Sequence, residues 1–151
     1  MLSQDQATTM FTLQSSMNAK VDPNWLSARY PYLRAVVIEA AEAIEHHGWK
    51  WWKKQHKDLP QLQMELIDIW HFILSEILLR NDEQETTPLA QLMYSLEQSP
   101  AQQQIEFDKQ LYVLDQMDLI SKLELLIGLS ISRRIELAVF ESIMQDCELS
   151  W

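Results

Sequence analysis

The sequence predicts an all-α fold, a bundle of five to six helices in a single domain over residues 1–151. Three observations carry that reading. Only two glycines (Gly48 and Gly128) and five prolines occur, too few turn formers for a sandwich or barrel of strands. Hydrophobic residues make up 47% of the chain, enough for a core that needs neither disulfides nor structural zinc. Apolar positions recur at helical spacing, as at Leu119, Leu123 and Leu126.

The helices follow in order. A first amphipathic stretch runs roughly from Gln6 to Val21 and stops at Asp22-Pro23, because a residue before proline is pushed out of helical geometry. A second starts near Pro31 and ends at Gly48, with His46 and His47 in its last turn. Asp58-Leu59-Pro60 combines an N-cap with a first-turn proline and opens a long helix to about Arg80. A polar loop follows from Asn81 to Thr87. Thr87-Pro88 and Ser99-Pro100 each read as further helix starts, and 100–148 as two helices separated near Gly128.

Several function classes fall away on composition. The first ten residues carry Ser, Gln, Asp and Thr where a signal peptide needs an apolar stretch. No run reaches the ~18 consecutive apolar residues of a membrane span. A net charge of −10 argues against nucleic acid, whose phosphates are bound by basic surfaces. The single cysteine, Cys147, has no internal partner, which fits a reducing cytoplasm.

Chemistry concentrates on two helices. Glu39 and Glu42 lie three residues apart on one, Glu65 and Asp68 on the other, so each pair shares a helix face. Such pairs usually decorate a solvated surface, but these are set in the apolar stretches LRAVVIEAAEAI and MELIDIWHFILSEILL. A helix apolar nearly all round is expected to be buried, and unpaired carboxylates there require either protons or cations. Two helices packed antiparallel would bring the pairs face to face. Four hard oxygen donors suit Mg²⁺, with Mn²⁺ as the alternative, the remaining ligands coming from substrate phosphates. Asp68-x-x-His71 has the carboxylate–histidine spacing of di-iron bundles, but its second copy is missing, which favours magnesium over iron. The segment between the helices, HHGWKWWKKQHK, is basic and aromatic and contains no acid. Its tryptophans, Trp51 among them, either pack the core or offer stacking faces; its lysines, including Lys50 and Lys53, either solubilise or meet phosphate oxygens.

These residues also resemble a known family. Glu39-Ala-Ala-Glu42, Trp49-Lys-Trp-Trp-Lys53 and Glu65-Leu-Ile-Asp68-Ile-Trp-His71-Phe72 are similar to the all-α dimeric dUTP diphosphatases, within the MazG-like nucleoside triphosphate pyrophosphatases. Phe11-Thr-Leu-Gln14 with Asn18 and Trp25 adds to the likeness, which covers roughly residues 10–80. It implies an all-α pyrophosphatase-like fold, a homodimer, and hydrolysis of dUTP, with dUDP as a further substrate, to dUMP. Glu39, Glu42, Glu65 and Asp68 would bind Mg²⁺, with Glu42 acting on the attacking water. Gln14 and Asn18 would meet the uracil edge, and Trp51 and His71 would belong to the nucleoside pocket. Phe72 would pack on the deoxyribose and oppose a 2′-hydroxyl. Family members carry a later segment rich in Arg, Lys, Asn, Gly and Tyr, and nothing similar follows Tyr112. On the residues alone, a pyrophosphatase for another nucleotide and a catalytically silent helical dimerisation module remain open. The C-terminal stretch, with Ile120, Leu125, Ile131, Ile135 and Val139, would supply the dimer contact.

Overall fold

The structure, a computed structural model, describes residues 1–82 and 87–151; the polar loop expected over 81–87 lies, at 83–86, outside the described residues. Among the described residues the order is α1 (Gln4–Val21), α2 (Trp25–Ala28), α3 (Tyr32–His47), α4 (Leu59–Asn81), α5 (Pro88–Gln98), β1 (Gln104–Phe107), β2 (Gln110–Val113), α6 (Leu119–Ile131) and α7 (Leu137–Asp146). The described residues form an all-α bundle with one small hairpin.

Local chemistry explains most boundaries. Ser3 and Gln6 close a reciprocal capping box at the start of α1. Asp58 and Thr87 accept from the amides of Gln61 and Ala90, and each is followed by a first-turn proline. Gly48 ends α3 at φ 85°, where an added Cβ would also lie 2.9 Å from Gln55 Cβ.

The segment after α5 differs from expectation. Ser99-Pro100 opens only a single 3₁₀ turn, and antiparallel strands follow, pairing Gln104 with Val113 and Phe107 with Gln110. Asp108 and Lys109 turn the hairpin, both at positive φ, as a two-residue turn of matching twist requires. Nor does Gly128 interrupt the helical stretch. It sits inside α6, where a Cβ would come within 2.9 Å of the Phe107 ring, so its missing side chain lets the hairpin close onto the helix. The break falls after Ile131, with Arg133 in the left-handed region.

Packing centres on α3, which lies chiefly against α4 and α6, while α1 lies along α4. A continuous core runs from Phe11 and Val36 through Leu66, Ile69 and Trp70 to Leu123, Leu129 and Phe140. Val139 and Leu125 belong to it, and Ile120 and Ile135 are partly covered, so Ile131 alone of the expected dimer contacts stands exposed. Exposed apolar side chains instead mark α1 and α4, at Leu13, Met17, Met64 and Ile67. Among the described residues no helix is long and apolar enough to cross a membrane.

Candidate active site

The site begins with helix spacing. On α3, residues 39, 42 and 46 share one face (i, i+3, i+7), and on α4 so do 65, 68 and 72. Packing α3 on α4 turns these faces together. Carboxylate oxygens of Glu39, Glu42 and Glu65 all lie within 4.8 Å of one another. Asp68, one turn further along α4 and half-buried, is not drawn into that cluster.

The expected uniform burial is not found. Glu65 is buried, Glu39 half-buried and Glu42 exposed, and Ile38 beside them is 53% exposed. Thus α3 is not covered all round: its acidic edge opens to solvent, which gives a substrate access. Crowding still acts. Burial, a hydrogen bond with Glu65 and the charges of Glu42 and Glu65 push the Glu39 carboxyl up to about 8. At neutral pH and without a cation, the triad therefore keeps a proton. Three hard oxygen donors this close, one of them reluctant to ionise, fit a divalent cation of the Mg²⁺ or Mn²⁺ type.

Two supporting residues escaped the sequence reading. His46 places its Nε2 3.3 Å from Glu65 Oε1. Ser75, buried on α4, accepts from Asn18 Nδ2 at 3.0 Å and donates to the His71 carbonyl at 2.9 Å. Asn18 Oδ1 in turn accepts from Gln14 Nε2 at 3.0 Å. This chain fixes Gln14 and Asn18 against α4 next to His71. The available signals were position 46 on the acid face of α3 and a lone serine in the apolar run HFILSEILL.

Other expected residues are less gathered. Gln14 and His71 line a cavity of about 390 Å³ whose walls are mostly apolar, with Met10, Trp70 and Trp151 among them. Phe72 is half-buried and packs on the core, one turn beyond Asp68. The basic loop stands at the same end of the α3–α4 pair as the acids. Trp49, Trp51 and Trp52 meet edge to face at 4.7–6.5 Å, and Trp51 is 86% exposed. These rings are not core filler. Lys50 lies over the Trp49 ring, and Lys53 is exposed. Gln55 gathers the loop by accepting from the amides of Trp49 and Lys50 through one oxygen, and Trp49 Nε1 donates to Glu45 at 2.6 Å. Cys147 is buried, which pushes its thiol up to about 11, as suits an inert thiol.

A search of curated proteins finds no match to the chain. The family profile described as dUTPase matches residues 6–150, so the likeness read on residues 10–80 extends past Tyr112 across nearly the whole sequence. With its helical architecture and clustered acids, the chain belongs to the all-α dUTPase family, nucleoside triphosphate diphosphatases that hydrolyse dUTP.

Proposed function

We propose that the reaction takes place at the acidic edge of α3 and α4, with Mg²⁺ as the cofactor and Mn²⁺ as its substitute, and yields dUMP and pyrophosphate. One observation carries this: three carboxylates crowd within 4.8 Å, and burial together with the neighbouring Glu65 and Glu42 carboxylates pushes Glu39 up to about 8. Glu39, Glu42 and Glu65 would hold the ion, with Asp68 joining from the next turn of α4. When bound, Mg²⁺ neutralises charge on the phosphate oxygens and acidifies the attacking water. Glu42, the exposed member, orients that water and takes its proton as the oxygen attacks the α-phosphorus. The bond from the α-phosphorus to the bridging oxygen breaks, and pyrophosphate leaves. Lys50 and Lys53 meet the departing phosphates, and Trp51 closes over the nucleoside.

Gln14 and Asn18 read the uracil edge, each amide able to donate and accept. Their link through Ser75 to His71 supports a preset orientation. Phe72 opposes a 2′-hydroxyl and so disfavours ribonucleotides. In this reading one domain works as a cytoplasmic homodimer without nucleic acid or membrane partners. The exposed apolar residues on α1 and α4 support association, and the unpaired Cys147 supports a reducing compartment.

The experiment follows pyrophosphate release from dUTP, UTP and dCTP, and orthophosphate release from dUDP, with Mg²⁺. dUTP is expected to turn over fastest by at least tenfold. Equal rates for dCTP and dUTP would make this a pyrophosphatase of broader range, and no release from any triphosphate would leave a helical module without this activity.

A further inference from the structure

We propose that His46 is a positioning residue for Glu65, a role that rests on the metal site proposed above. Glu65 is the most buried acid of the cluster, and beside the other carboxylates the His46 ring stands against it. The imidazole reaches across from the last turn of α3 and sets Nε2 3.3 Å from Oε1. A nitrogen facing one oxygen fixes the carboxylate's rotation about its terminal bond and leaves the other oxygen to a cation. Groups that orient the ligands of a metal typically change its affinity by roughly 10–100-fold when removed.

The backbone of the same residue has a second task. The His46 carbonyl accepts from the Asp58 amide at 2.9 Å, which closes the basic loop at its roots. Acid cluster and tryptophan–lysine loop thus meet at one residue. Because the loop closure uses only backbone, side-chain variants at this position leave it in place and isolate the contact with Glu65. A substitution in the last turn of α3 can also change helix stability, so loss on substitution alone would not separate positioning from stability. Side-chain reach does. Glutamine carries its amide nitrogen about as far from the backbone as histidine carries Nε2, whereas asparagine falls short.

The test is calorimetric titration of Mn²⁺ into the wild type, His46→Ala, His46→Asn and His46→Gln, each first melted in EDTA to establish a common fold. His46→Ala and His46→Asn are expected to weaken Mn²⁺ binding roughly 10–100-fold. His46→Gln should stay within about threefold of the wild type. Equal affinities across all four proteins, or equal loss in the asparagine and glutamine variants, would overturn the positioning role and leave the metal site standing. A wild type that binds no Mn²⁺ would overturn the role together with the site.

Discussion

Helix α4 buries two glutamates equally: Glu65 and Glu76 are each 6% exposed. Their surroundings are opposite. Glu76 meets Arg80 one turn along at 2.9 Å, and the guanidinium also donates to the Arg133 carbonyl, so the negative charge is answered within the protein. Glu65 faces Glu39, Glu42 and a histidine. Burial alone therefore does not mark a functional acid; the sign of its neighbours does. One site is a satisfied ion pair, and the other is electrostatically unfinished without a cation.

The largest expected effect comes from exchanging the charge at each position. Glu65→Gln should reduce dUTP hydrolysis at least about 100-fold, because a buried ligand oxygen becomes an amide nitrogen or a neutral oxygen. Glu76→Gln should retain hydrolysis within a few-fold. It should instead lose about 1–2 kcal/mol in denaturant unfolding, less than a fully buried pair would, since Arg80 is 32% exposed. Similar kinetic losses in both variants would dissolve the contrast.

A smaller effect appears with pH in EDTA. Glu39 has a folded value of about 8 against an ordinary 4.5, so the folded state holds this proton more tightly than the unfolded one. That contribution is fully present below about 4.5 and is lost as pH rises through 8. The metal-free protein should therefore melt progressively lower from pH 5 to pH 8.5, and Glu39→Gln should flatten the trend. A melting temperature rising over that window would contradict the assignment. The smallest effect is expected at Cys147, a third buried titratable group with no catalytic partner. Its thiol, pushed up to about 11, should resist thiol reagents at pH 8 until the protein unfolds, and Cys147→Ala should leave dUTP turnover unchanged.

How much of this could be read from sequence depended on whether local rules decide the outcome. Helices α1, α3, α4 and α5 were legible because capping residues and prolines act within a turn or two. The shared faces of Glu39 with Glu42 and of Glu65 with Asp68 were legible because i, i+3 spacing fixes them wherever the helix goes, but not that Asp68 would stand apart from the other three. The degree of burial was not, since it depends on what covers α3, and Glu42 proved exposed. His46 and Ser75 take their roles only when α3 and α1 pack on α4; their places on the helices could be read, but not what they would meet. The hairpin was hidden for two reasons: Asp108-Lys109 lacks the glycine that usually marks such a turn, and Ser99-Pro100 imitates a helix start. Gly128 was misread as a breaker because its reason, room for the Phe107 ring, lies some 20 residues away.

The most direct test of the account is electron paramagnetic resonance of Mn²⁺ added to wild type, Glu65→Gln and Glu76→Gln at pH 8. Free aqueous Mn²⁺ gives a sharp six-line signal that is lost on binding. The signal should be suppressed by the wild type and by Glu76→Gln, and should persist with Glu65→Gln. Full signal with the wild type, or equal suppression by all three proteins, would contradict a divalent-ion site among Glu39, Glu42 and Glu65.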